Sequence, residues 1–199
     1  MVEQFFKGDD SELLEIFRAD QEDRQPKKSK SDPSRGIRDR EHRARVRKLR
    51  EEGRIRTGED HFRAAVVLLH GRESQDYEEA LEIARRGSEL EPEQTNLRAL
   101  CGLIQDRLLL SRGEPQWYGT QRELKDGRVV LCPLDPDAVT DEERRAMGLP
   151  TLEERYQELE RLNAPTRRSS RDALKEHPGE PFSLGSESSS YRNRGATRF

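Results

Sequence analysis

Hydrophobic positions in this chain come in bursts separated by charge. In "SELLEIFRADQEDR", residues 11–24, Leu13, Leu14 and Phe17 fall on one helical stripe, with Asp10 or Ser11 placed to cap it. Extended by helical steps, the stripe runs into Asp20 and Arg24 instead of further hydrophobes. The segment "QPKKSKSDPSRG" has the composition of a loop, expected to be mobile over 25–36. Residues 37–52 predict a second helix with a thin apolar face of Val46 and Leu49. Asp39 and His42 share that face, two turns and one turn before Val46.

Three denser segments follow. Residues 62–69 are apolar all round, which predicts a buried helix with Gly71 at its C-cap and His61 and His70 at its two ends. Over 77–90, Tyr77, Ala80, Ala84 and Gly87 stand at helical spacing and Pro92 stops the helix. The small residues among them allow a neighbouring helix to approach closely. Residues 95–110 predict a third buried helix, N-capped by Thr95. One face carries Leu97, Cys101, Ile104 and Leu108; another carries Leu100, Leu103, Arg107 and Leu110. Gln105, Asp106 and Arg107 interrupt this cylinder, and burying ionised Asp and Arg there costs several kcal/mol per group, roughly, unless they are paired.

After the loop "GEPQWYGTQ", residues 113–121, "RELKDGRVVLCPL" reads as a β-hairpin turning at Asp126–Gly127. Two more helices are each opened by a capping box, Thr140 with Glu143 and Thr151 with Glu154. Leu152, Tyr156, Leu159 and Leu162 make the stripe expected to dock the last one. From Asn163 to the end Ser, Arg, Gly and Pro dominate and no stripe continues. The pattern therefore predicts a mainly α fold of five or six helices with one small β-hairpin. A single helical domain over 11–162 lies between a flexible 1–10 and a disordered Ser/Arg-rich tail, 163–199.

Composition changes this picture only in part. Charged residues make up 39% of the 199 positions and hydrophobic ones 31%, so the core must come from the dense segments. No apolar run approaches the ~20 residues of a membrane helix, and the acidic start carries no secretory signal. Two cysteines, Cys101 and Cys132, form no disulfide framework and read as buried thiols of a reducing compartment. The expected location is cytoplasmic. Seven Arg/Lys on the 37–52 helix suggest a phosphate-binding stripe. The net charge of −3 and the lack of interleaved aromatics favour instead a solvated helix answering the acidic 73–93 segment, within the chain or across a dimer.

The pair of helices over 61–92 resembles the helical hairpin of a tetratricopeptide repeat, from Tyr77, Ala80, Ala84 and Gly87 to the terminal Pro92. Its first helix carries Leu where a repeat glycine is usual, and there is no clean second copy. More specific are "DQEDR" at 20–24, "AAVVLLHG" at 64–71, "DR" at 106–107 and "PQWYGTQ" at 115–121. With the ending "DPDAVTDEERRAMGLPTLEE", these resemble a bacterial family of uncharacterised helical domains over about 11–162. Members often carry Gln-His-Gly where this chain has Leu69-His70-Gly71. The resemblance brings a set of positions and no activity.

The polar residues out of place on packing grounds are Asp20, Arg24, Asp106 and Arg107. Asp23, His70, Gln116, Thr120 and Gln121 join them through the family-like motifs. Asp20, Asp106 and His70 are the acid–base candidates. Arg24, Arg107, Gln116, Trp117, Tyr118, Thr120 and Gln121 could bind a polar ligand, with Trp117 or Tyr118 stacking on a flat one. The same residues could instead form a buried structural network, the two Asp-Arg elements pairing crosswise and the glutamines satisfying helix-end carbonyls. No phosphate-cradling glycine loop, GxSxG or HExxH is present. With four histidines and no two at ligand spacing on one helix, no metal site and no cofactor is expected.

The expected function is that of a binding module holding a polar small molecule or a peptide in a pocket closed by the PQWYGTQ loop. A small cofactor-independent hydrolase or isomerase is the alternative. Nucleic-acid contact through 37–50 is weaker still, and no membrane partner is expected. Oligomeric state is not legible.

Overall fold

The structure is a computed structural model and describes residues 8–25, 32 and 34–164. The expectations for 1–7, for most of the 25–36 loop and for the tail from 165 lie outside the described residues. Seven helices and one hairpin are present among them: α1 Ser11–Asp23, α2 Arg35–Glu51, α3 Gly58–Leu69, α4 Ser74–Leu90, α5 Thr95–Ser111, β1 Arg122–Lys125, β2 Arg128–Leu131, α6 Asp141–Ala146 and α7 Leu152–Asn163. The fold is mainly α.

α3, α4 and α5 pack in sequence, each against the next, and α1 and α2 cover α3 from the other side. Their shared core runs from Leu13 and Ile16 through Val46, Leu49, Ala64 and Leu68 to Ala80, Ala84, Leu100 and Ile104. The small residues of α4 allow the close contacts. A Cβ on Gly87 would meet His61 Cβ at 2.5 Å and Leu97 Cδ2 at 3.0 Å, so α3 and α5 both reach the α4 backbone there.

Capping holds the helix ends. Asp10 accepts from Leu13 N, and Thr57, Thr140 and Thr151 open α3, α6 and α7 as capping boxes. Two expected caps differ. Gln94, not Thr95, stands at the N-cap of α5, and it makes no side-chain bond there. His70 is the C-cap of α3, while Gly71 does not take a left-handed conformation. Gly71 is small for another reason: the Asp76 carboxyl, which accepts from Arg72 N and Glu73 N, lies 2.2 Å from where its Cβ would be.

The basic α2 is met by acidic neighbours within the chain. Arg47 reaches Asp76 and Glu79, both at 2.6 Å, Arg50 reaches Glu82 at 2.6 Å, and Arg38 reaches Asp23 at 2.6 Å. The exposed Arg50–Glu82 pair contributes about 0–1 kcal/mol; the others end on the buried or half-buried Asp23, Asp76 and Glu79, and together they orient α2 across α1 and α4.

The C-terminal third is tied on separately. Asp126 (φ 51°) and Gly127 (φ 78°) make the tight turn of the β1–β2 hairpin, with Lys125 paired to Arg128. The Asn163 side chain bonds both Val129 N and Val129 O, each at 2.8 Å, fastening α7 to β2. α7 buries Leu159, but Tyr156 is exposed, and Arg155 is the buried neighbour in its place. One turn of stripe was thus misassigned. Arg155 reaches Glu158 at 2.6 Å, which lets its aliphatic stem serve as packing surface.

Filling the α3–α4–α5 contact is expected to be costly. Gly87→Ala should destabilise the protein by about 1–3 kcal/mol through overpacking, read as a lowered urea midpoint with unchanged slope.

Candidate functional site

The ten candidate positions, with Asp23, fall into two groups linked by Arg107. The first is built on Asp106. Its side chain is wholly buried on α5, whose other buried residues are all apolar. Oδ1 accepts from Trp117 N at 2.8 Å and Tyr118 N at 2.9 Å; Oδ2 accepts from Thr120 N at 2.9 Å and Thr120 Oγ1 at 2.8 Å. Burial pushes this carboxyl above the usual carboxylate range, while the four donated bonds pull the other way. Four donors aimed at two oxygens suit the ionised form, and they take up the lone pairs that proton transfer would need.

The PQWYGTQ loop is therefore wrapped around Asp106. Gln116, also wholly buried, donates from Nε2 to Gln121 O at 2.8 Å and Cys132 O at 3.0 Å, and its Oε1 accepts from Gln121 N at 2.8 Å. Its backbone pairs with Pro133 O and Asp135 N, so the glutamine joins the loop to the segment that follows the hairpin. Gly119 has φ +71°, which lets the loop reverse between Tyr118 and Thr120. Tyr118 is half-buried, its ring within 3.5 Å of where a Gly102 Cβ would stand; Trp117 is 37% exposed. From the far side the buried Arg144 donates to Trp117 O at 2.9 Å and Val139 O at 2.8 Å.

The second group gathers around Asp20, which is 1% exposed. His70 Nδ1 lies 2.9 Å from Asp20 Oδ2, and Gln21 Nε2 donates to the same oxygen at 3.0 Å. Arg24 Nη1 stands 2.8 Å from Asp20 Oδ1 while Arg24 Nη2 donates to Asp39 Oδ1 at 3.1 Å, so one guanidinium bridges α1 and α2. Burial lowers the His70 pKa below that of a free imidazole, against the Asp20 contact, which raises it; Arg24 and Arg107 add to the lowering. The ring stands beside the carboxylate at contact distance, without a hydrogen bond of good geometry at Nδ1.

Asp39 and His42, which share the Val46 face of α2, reach this cluster, although neither stood among the candidate site residues. Ligand atoms of Asp20, Asp39 and His42 all lie within 4.8 Å of one another. Their shared helix face was visible in the sequence; its alignment with Asp20 depends on how α2 crosses α1. Asp23, one turn along, instead pairs with Arg38.

Arg107 links the groups. It donates to Leu69 O at 3.3 Å, beside His70, and to Gln121 Oε1 at 3.3 Å, at the end of the loop. The expected crosswise pairing of two Asp-Arg elements does not form: Asp106 is held by neutral donors of the loop, and Arg107 contacts a carbonyl and an amide. Trp117, Tyr118 and Gln116 sit on the Asp106 side, and Asp20, Arg24 and His70 on the other.

With this geometry in view, the comparison with protein families is specific. Residues 57–164 match a family of unknown function, DUF6624. The chain belongs to that family. The DUF6624 match opens at Thr57, the N-cap of α3, and covers His70, Asp106 with its loop, the hairpin, α6 and α7; Asp20, Arg24, Asp39 and His42 precede it. Comparison with curated proteins gave no match, and comparison with solved structures gave none.

Two outcomes follow from this geometry. Asp106→Asn sets an amide donor against the loop's N–H groups and should cost about 2–5 kcal/mol, seen as a fall of many degrees in the melting temperature. Cys101, whose thiol burial pushes up to about 11, should stay unlabelled by a thiol reagent at pH 8 until the chain is denatured.

Proposed function

We propose that this protein is a helical binding module whose ligand is a small polar molecule, held at the junction of α1, α2 and α3 with Arg107 of α5 behind it. The observation that carries this reading is Asp20. A carboxylate 1% exposed, with a histidine and a guanidinium against it, stands where helix packing alone calls for a hydrophobe. Replacing a buried ionic group by apolar residues is often neutral or stabilising, so stability is a weak reason to keep one. Asp39, 17% exposed in its side chain, and the half-buried His42 give the cluster an approach from the α2 side.

The reading modifies the part given to the PQWYGTQ loop. Stitched to Asp106 by four hydrogen bonds, it serves as a fixed wall that positions Arg107 through Gln121, and not as a lid. The arginines of α2 that pair with Asp23, Asp76, Glu79 and Glu82 count against nucleic acid as the partner.

A second reading is favoured by one distance. His70 Nδ1 stands 2.9 Å from Asp20 Oδ2, so a small rotation of the ring makes the hydrogen bond by which a carboxylate fixes an imidazole tautomer and leaves Nε2 to move a proton. It makes the same site that of a small acid–base enzyme.

Imidazole proton resonances test the main reading, with His42, His61 and His70 assigned from single-residue variants. Titrated with amino acids, nucleosides and dicarboxylates, one class should shift His70 and His42 saturably and leave His61 still. Shifts confined to His61, or none at millimolar concentration, count against it. If turnover of any such compound is found, His70→Gln should lower kcat by about 10²–10⁴-fold.

A further inference from the structure

We infer that Asp20, Asp39 and His42 form a binding site for a divalent transition-metal ion of the zinc type, in which the Arg24 guanidinium is the cation that the metal displaces.

Asp39 and His42 stand one turn apart on α2, at the i, i+3 spacing by which a carboxylate and an imidazole on one helix converge on a shared ion. Asp20 faces them from α1, and one ligand atom from each of the three lies within 4.8 Å of the other two. Tetrahedral zinc with bonds of about 2.0–2.2 Å spaces its ligands about 3.4 Å apart, so side-chain rotations of an ångström or so close the set. Two carboxylate oxygens and one imidazole nitrogen are a donor set that zinc accepts, with a fourth position left for water or a ligand.

Two further observations point to an occupant. His42 Nδ1 is buried and has no hydrogen-bond partner, although a neutral or charged imidazole ordinarily finds one. Asp20, 1% exposed, has Oδ2 held by the Gln21 amide with the His70 ring 2.9 Å away, while its Oδ1 makes no hydrogen bond of good geometry and faces Arg24. That is how outer contacts orient a ligating carboxylate, one oxygen held and the other presented.

Arg24 shows that this position favours a positive charge. Its Nη1 and Nη2 lie 2.8 Å and 3.1 Å from one oxygen of each carboxylate. It is the C-cap residue of α1. Rotation about its long side chain frees both oxygens without moving a helix. A bound divalent ion neutralises the two carboxylates that Arg24 then leaves.

The inference shares Asp20 with the proposed ligand site but does not depend on any organic ligand binding there. The test titrates the full chain with Zn²⁺ by calorimetry and with Co²⁺ by visible absorption. Parent protein should bind one ion with a Co²⁺ spectrum of mixed nitrogen and oxygen ligation. His42→Ala, at a half-buried position, should keep the helical circular dichroism and bind at least tenfold more weakly. Arg24→Ala should bind more tightly than the parent, which a purely structural Arg24 gives no reason to expect. His70→Gln should still bind the ion, so a lost imidazole response to organic ligands is separable from a lost metal site. No binding by the parent at millimolar Zn²⁺ overturns the inference. So does a folded His42→Ala variant that binds like the parent, or an Arg24→Ala variant that binds no better.

Discussion

A carboxylate with no access to water sits in the middle of α5, and much of the C-terminal half is arranged to satisfy it. Asp106 is ringed by donors of one short loop, three of them backbone N–H groups. Isolated burial of such a charge costs several kcal/mol, roughly, even after relaxation; complete hydrogen bonding offsets that penalty and converts it into specificity. The loop must adopt one conformation, because any other leaves the charge bare. Gln116 repeats the principle with an amide, answering the carbonyl and N–H groups where the loop meets the segment after the hairpin. The shape of 115–121 is therefore dictated from beneath, by α5.

Asp20 is handled differently. Its neighbours are themselves ionisable, a guanidinium from the end of its own helix and an imidazole from the end of α3. One buried acid is satisfied by neutral, fixed dipoles and the other by groups that can rotate, exchange protons or be displaced. This difference, more than burial, is why the first reads as scaffold and the second as a site.

The sequence made the helices legible because their stripes, caps and turns are local. Thr140, Thr151 and Asp126–Gly127 act within a few residues of themselves, and each stands where the spacing predicts. The misreadings concern residues whose role depends on a distant neighbour. Gly71 looked like a helix stop and is small because Asp76 lies against it; Tyr156 and Arg155 exchange places on a helix only half covered by β2. The polar candidates were visible as interruptions of apolar stripes. Their partition was not, since whether Asp106 meets Arg107 or a loop depends on loop geometry that no periodicity encodes. His42 and Asp39 likewise shared a visible face, but the crossing of α2 over α1 decides what that face meets.

Arg144 carries one more consequence. Its guanidinium holds the Trp117 carbonyl from 27 residues further along the chain, as the loop itself holds Asp106. On the ribosome these partners emerge in a fixed order. A nascent chain that has released only α5 carries a charge it cannot bury, and one that has released the loop still lacks the arginine that braces it. The Asp106 charge finds its donors when the loop emerges, and the Trp117 carbonyl finds Arg144 only when α6 follows. The polar end of α5 is thus closed over by segments that leave the ribosome after it.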